Sequence, residues 1–302
     1  MPSTAPAPLR PGDQVAIVCP ARKASHEELT AAVATLESWG LRVVLGESTG
    51  TAHHQFGGDD ETRRRDFQRQ LDDPAIRAIF CARGGYGTTR IIDQLDFSHF
   101  PQNPKWVAGF SDITTINCHL LRLGHQSIHG VMPLLFHQEG GQESLESLRR
   151  VLFGEEISYY APAHPLNRPG TATGELVGGN LSILQTLTGT RSDVSTAGRI
   201  LFLEDIDEYL YAIDRMLVHL DRTGKLADLA GLLVGHFTNP QDNAVPYGLT
   251  PNEIIMERVA RYNFPVVHGF PVGHEPENMA LVVGRPAQLV VDASGAWVRY
   301  VG

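Results

Sequence analysis

Between Gln14 and Val131, short apolar runs alternate with helical patterns over brief connections, which leaves few ways for the chain to fold. Gln14 to Cys19, Leu41 to Leu45, Ala75 to Ala82, Trp106 to Phe110 and Gln126 to Val131 read as strands, several of them rich in β-branched residues. Between them, Ser25-His26-Glu27-Glu28 is a capping-box pattern that opens a helix running to about Trp39. Further helical patterns cover Asp59 to Leu71, Thr88 to Leu95 and Ile113 to Leu123. Such β-α alternation implies a parallel sheet covered on both faces, with ligands bound at the carboxyl ends of its strands.

Near Phe136 the alternation lapses. His137 to Pro169 is richer in Gly, Glu and Pro and holds one helical pattern at Glu143 to Leu152. The second half restarts at Gly174 and continues with strands at Arg199 to Leu203, Leu229 to His236 and Pro265 to Phe270. Ala287 to Asp292 and Ala296 to Val301 enclose Ala293-Ser294-Gly295, a hairpin signal. A chain of 302 residues is long for one core. The expected division is therefore an N-terminal α/β domain at 1–137, a linker segment at 138–173 and a smaller C-terminal α/β domain at 174–302.

Charge narrows the function classes. The formal net charge is −9, with no basic stripe and no aromatic-interleaved Lys/Arg cluster, so nucleic acid is not an expected partner. No apolar run reaches the roughly 18 residues that a bilayer span needs, so no membrane partner is expected either. The opening MPSTAPAPLRPGDQ has no apolar h-region ahead of its strand, and a secretory signal is not expected. The three cysteines, Cys19, Cys81 and Cys118, form no C-x-x-C pair and sit in apolar contexts. They read as reduced buried thiols of a cytoplasmic protein.

Lys105 to Thr114, KWVAGFSDIT, carries the first chemical signal. A strand ends at Gly109-Phe110, Ser111 follows, and a helical pattern begins at once. A serine on such a corner is held out with its hydroxyl exposed, beside N–H groups that can receive a developing negative charge. Capping of the helix by Ser111 or Asp112 is the competing explanation. Arg83-Gly84-Gly85-Tyr86-Gly87 also joins a strand to a helix. It can cradle a phosphate, donate N–H groups to an oxyanion, or simply turn the chain. The G-x-G-x-x-G spacing of a dinucleotide site is not met.

Two further segments stand out. Arg199 to Leu203 is a buried-strand run ending in Glu204, at the edge where sites are built, and Glu204 reads equally as cap or functional group. Asp205, Asp207 and Glu208 read as caps and first-turn acids of the helix that follows. Gly273-His274-Glu275-Pro276-Glu277-Asn278 is a loop after a strand, where His274 is placed to act as a base or to lie on the surface as one of thirteen histidines. His53-His54 and the pair His268 and His274 lack metal-ligand spacings, so no metal is expected.

Taken in order, these segments resemble the serine LD-carboxypeptidase family, the muramoyltetrapeptide carboxypeptidases that include the microcin C immunity peptidases. The resemblance rests on Gly12-Asp13 with Val15 to Pro20, Arg83 to Gly87, Gly109 to Asp112, Gly178-Gly179-Asn180-Leu181, Leu203-Glu204-Asp205, Ile213 to Leu217, and Gly273-His274 with Asn278. It implies a flavodoxin-like N-terminal domain with a nucleophile elbow and a C-terminal domain supplying the rest of a triad. By position, Ser111 resembles the nucleophile, His274 the general base and Glu204 its orienting residue. The resemblance further implies an oxyanion hole from the N–H groups of Gly85 and Asp112, no cofactor, and a homodimer. An α/β-hydrolase would require G-x-S-x-G, and Ile113 stands where its second glycine belongs.

The implied reaction removes the terminal D-alanine from a murein tetrapeptide during cell-wall recycling. Arg83 is the candidate partner of the substrate's terminal carboxylate, and Asn180 a polar contact. The alternative is a microcin C-type immunity peptidase cleaving peptide- or aminoacyl-nucleotide conjugates, but its additional binding loop finds no match between Phe136 and Gly174. A nucleotide-binding protein, with phosphate on Gly84 to Gly87 and ribose on Asp112, leaves Glu204 and His274 without a role.

Overall fold

A computed structural model describes residues 3–301. The first half builds β1 (Gln14–Val18), α1 (His26–Ser38), β2 (Arg42–Leu45), α2 (Asp60–Asp72), β3 (Ile76–Cys81), α3 (Thr88–Ile91), β4 (Trp106–Ala108), α4 (Thr114–Arg122) and β5 (Ser127–His129). The expected capping box is formed: Glu28 N–H donates to the Ser25 hydroxyl, and the Ser25 N–H to the Glu28 carboxylate. Strands β1 to β5 are parallel in the order 2-1-3-4-5, which is the flavodoxin order. Alternation along β1 divides the core. Val15 and Ile17 pack with Leu29 and Leu36 of α1, while Ala16 and Val18 pack with Phe67 and Leu71 of α2.

The segment expected to be a linker carries α5 (Gln142–Leu152) and β6 (Ser158–Pro162). Then come β7 (Gly170–Asn180), α6 (Leu181–Leu187), β8 (Ile200–Ile206), α7 (Leu210–Arg222), β9 (Gly231–Thr238), α8 (Pro251–Val259), β10 (Val266–His268), β11 (Leu281–Val283), β12 (Pro286–Asp292) and β13 (Gly295–Tyr300). The second sheet has seven strands in the order β10-β9-β8-β7-β12-β13-β6, against six in the first, because β6 joins its edge. β7 is long enough to serve two partners. Its first half pairs antiparallel with β12 and its second half parallel with β8.

One strand crosses between the halves: β11 pairs antiparallel with β5 and closes the edge of the first sheet. The main core is accordingly continuous, running from Ile128 through Leu281 to Phe202 and Leu233. Among the described residues no helix is long and apolar enough to cross a membrane. Cys19, Cys81 and Cys118 are free and buried. Burial pushes the Cys19 and Cys118 thiols up to about 12, so neither is a ready nucleophile.

Candidate active site

Ser111 has φ +63°, in the left-handed region that costs a serine roughly 1 kcal/mol or more. The strain is held in place from behind. Asp112 is 1% exposed and accepts from the Thr88 N–H at 2.9 Å and the Thr88 hydroxyl at 2.8 Å, tying the elbow to α3. Burial pushes the Asp112 carboxyl up, against the pull of these donors. Helix α4 begins without a side-chain cap, so the capping explanation of Ser111 and Asp112 does not hold. The elbow faces the glycine loop. A Cβ on Gly84 would come within 3.0 Å of Ser111 Cβ and 3.2 Å of its Oγ, a separation that only a glycine leaves comfortable. No hydrogen bond among the described residues uses the N–H of Gly85 or Asp112, which leaves both to a ligand.

Glu204 lies near the carboxyl end of β8 with a fully buried side chain. Its Oε2 accepts from His274 Nδ1 at 2.7 Å, while Oε1 has no hydrogen-bond partner among the described residues. The loop that carries His274 reaches the strand because residue 273 is glycine. Its φ is +133°, and a Cβ there would sit 3.2 Å from Glu204 Cβ. The loop is then closed on itself and on α5. Gly273 N–H donates to Asn278 Oδ1 at 3.1 Å, Asn278 N–H to Ser144 Oγ at 2.7 Å, and Ser144 Oγ–H to the Pro276 carbonyl at 2.8 Å. For His274, burial disfavours the charged ring, but Glu204 outweighs it through charge and hydrogen bond, and the net pKa is raised above 6.5.

Ser111 and His274 line one cleft of about 650 Å³ together with Arg22, Arg83, Gly84 and Gly85. The Phe110 ring lies 4.8 Å from that of His274. These residues follow β1, β3, β4 and β10, so strands of both sheets open their carboxyl ends onto one space. No hydrogen bond joins Ser111 Oγ to the imidazole among the described residues; catalytic hydrogen bonds of this kind commonly tighten only with substrate present. Among the described residues, no group of three or more His, Cys, Asp or Glu side chains is arranged to hold a metal ion.

Other expectations shift. Arg83 lines the cleft, and so does Arg22, which sequence reasoning missed; neither forms an ion pair among the described residues. The Arg22 stem lies against Gly85, where a Cβ would come within 2.5 Å of its Cδ. Only the glycine at 85 hints at this neighbour. Asn180 does not line the cleft: its Oδ1 caps α6 through Ile183 N–H at 3.2 Å and its Nδ2 donates to Asp205 at 2.8 Å. Asp205 does not cap the following helix either. It turns inward and accepts the Ser182 N–H of α6 at 2.9 Å, and burial pushes its carboxyl up to about 7. Helix α7 has no acidic residue in its first turn and no side-chain cap, because the chain makes a tight corner at Asp207 (φ +60°) before it starts.

The fold and the sequence agree on a family. Residues 15–130 match the LD-carboxypeptidase N-terminal domain, and residues 173–289 match the LD-carboxypeptidase C-terminal domain. The chain belongs to the LD-carboxypeptidase family. It is 36% identical over 292 residues to a probable murein peptide carboxypeptidase of Bacillus subtilis, covering 94% of this chain and 91% of that one. The crystal structure of muramoyltetrapeptide carboxypeptidase from Oxalobacter formigenes superposes with a TM-score of 0.86 at 29% identity, covering 96% of this chain and 99% of that one. The microcin self immunity protein MccF, in complex with aspartyl sulfamoyl adenosine, shares the fold with a TM-score of 0.85 at 20% identity, each chain 98% covered.

Proposed function

We propose that this protein is a serine-type LD-carboxypeptidase with Ser111, Glu204 and His274 as its triad, releasing the terminal D-alanine of a murein tetrapeptide. The observation that carries the reading is the meeting of a strained serine elbow and a buried Glu204–His274 pair at one cleft. The names of the relatives, murein peptide and muramoyltetrapeptide carboxypeptidases, support the substrate class. The likeness to MccF is one of fold, and a nucleotide conjugate is the lesser reading.

As substrate closes the site, His274 Nε2 takes the Ser111 proton while Oγ attacks the carbonyl carbon of the L,D-peptide bond. Glu204 holds the Nδ1–H and stabilises the imidazolium. The oxyanion lies on the Gly85 and Asp112 N–H groups, each such donor being worth about 10²–10³ in turnover. Collapse breaks the C–N bond, His274 returns its proton to the departing D-alanine amine, and water, deprotonated by the same imidazole, frees the acyl group. Arg22 and Arg83 supply the positive charge that a free terminal carboxylate requires. The same reading takes the protein as a cytoplasmic homodimer.

Mass-spectrometric detection of D-alanine from defined tetrapeptides tests it, with tripeptide and pentapeptide controls and an aminoacyl sulfamoyl adenosine as competitor substrate. Release from the tetrapeptide alone is expected. Cleavage of the adenosine conjugate without D-alanine release would replace this substrate with the nucleotide class.

A further inference from the structure

His129 stands at the carboxyl end of β5, in the first sheet, and none of its surface is exposed. Its ring meets Phe110 edge-on at 5.7 Å and Phe202 edge-on at 5.0 Å. Phe110 adjoins Ser111. Phe202 precedes Glu204 by two residues on β8, and side chains two apart on a strand share a face. The imidazole therefore sits on the side from which Glu204 projects, between the nucleophile's strand and the carboxylate's.

Four buried polar atoms around this point form no hydrogen bond among the described residues: both ring nitrogens of His129, Oε1 of Glu204 and Nδ2 of Asn278. Their chemistry is complementary. A carboxylate oxygen only accepts and an amide nitrogen only donates, whereas a neutral imidazole does one of each at its two nitrogens. Asn278 cannot turn its amide around without losing the Gly273 N–H that its Oδ1 already accepts. One tautomer of one ring would satisfy all four atoms with two bonds.

We propose that His129 is a positioning residue: a neutral imidazole that accepts from Asn278 Nδ2 and donates to Glu204 Oε1, fixing the carboxylate and the His274 loop against the strand that presents Ser111. The proposal rests on the carboxypeptidase reading above and adds to it a link between the two sheets. Neutrality is in keeping with the setting. Burial holds the His129 pKa down to about 4, with Glu204 and, more weakly, the Asn278 side chain pulling it upward and His274 pushing it further down.

His129→Phe keeps the packing and removes both bonds, while His129→Asn and His129→Gln each restore a donor and an acceptor. Loss of a hydrogen bond to a charged group corresponds to roughly 10- to 100-fold. For His129→Phe, kcat should fall by that factor with KM for the tetrapeptide unchanged, and the acid limb of kcat/KM should move to lower pH as Glu204 loosens its hold on His274. At least one of the amide variants should recover most of the loss. Wild-type kcat and an unmoved acid limb in a folded His129→Phe protein would overturn the proposal, as would equal impairment of all three variants in proportion to lost thermal stability. Should the phenylalanine variant not fold, ¹⁵N NMR of the wild-type imidazole decides. One slowly exchanging N–H and a single neutral tautomer from pH 5 to 9 are expected, and a ring that titrates near 6.5 would refute the bridge. The NMR result does not depend on substrate, so wild-type protein without D-alanine release would sink the carboxypeptidase reading separately.

Discussion

His274 Nδ1 donates to Glu204 Oε2 across 2.7 Å, although 70 residues separate the two in the chain. The carboxylate has no exposed surface and the imidazole side chain is 13% exposed, so bulk water screens the pair weakly. A carboxylate on Nδ1 leaves Nε2 as the basic nitrogen facing the cleft. That is the tautomer a serine's general base needs.

This pairing sets the pH dependence. Burial alone would lower the His274 pKa, and Glu204 reverses the sign, so it lies above 6.5. A general base must be neutral, and kcat/KM should therefore fall on acidification through a midpoint above 6.5. With Glu204→Gln the largest upward pull goes, while burial and the weaker pulls of Asp205 and Asp207 remain, so the midpoint should move to lower pH, and turnover drops by about 10⁴. The stability term runs the other way. The ion pair contributes fully below 6.5 and is lost as pH rises through the raised value. Rate profiles and thermal melts on both proteins check the two signs.

Removing the Ser111 hydroxyl should lower turnover by about 10⁶ without unfolding the protein, since alanine adds no atom beside Gly84. D-alanine release from Ser111→Ala, measured next to its melting curve, provides the check. Retained turnover in a preparation free of wild type would refute the nucleophile assignment.

Arg22 and Arg83 line the cleft together with the acids Glu28 and Asp207, but no salt bridge among the described residues engages either guanidinium, which leaves both open to the terminal carboxylate of a substrate. A charge-assisted hydrogen bond is worth about 1.5–3 kcal/mol. Arg22→Ala should raise KM for the tetrapeptide by about 10- to 100-fold, and leave a tetrapeptide ending in D-alaninamide nearly unaffected. An unchanged preference for the free acid in the Arg22→Ala, Arg83→Ala double variant would remove both residues from that role.

Gly178 tests the frame behind the site. Its φ is +149°, and a Cβ would meet the Phe202 carbonyl oxygen at 1.9 Å, backbone that cannot yield without parting β7 from β8. Gly178→Ala should cost about 4 kcal/mol or more, read from urea unfolding. Gly189→Ala is a control: it shares a positive φ of +80° but has nothing within 4 Å of its Cβ, and should cost markedly less.

Much of the first sheet was legible because its signals are local. Strands β1, β3 and β4 are apolar runs, and helices α1 and α2 show their own caps. The unread elements lacked such signals. β7 is built largely of glycine and threonine before Leu176, β11 has three residues, and β6 lay in a stretch taken for a linker. Helix α8 went unread although Thr250 and Glu253 form a capping box, because loop-like residues from Asn239 to Gly248 precede it.

By itself the sequence determined the alternation that makes a flavodoxin-ordered sheet and the serine corner after β4, and through resemblance it pointed to the triad proposed here, Ser111, Glu204 and His274. Periodicity and capping are properties of neighbouring residues, so a linear reading can reach them. Tertiary structure alone decided that β11 crosses to the first sheet, that Ser144 on α5 anchors the His274 loop, that Arg22 joins the cleft while Asn180 does not, and that His129 packs between Phe110 and Phe202. Those contacts join residues distant along the chain. They exist only because two sheets pack on one continuous core, which turns the carboxyl ends of their strands toward the same cleft.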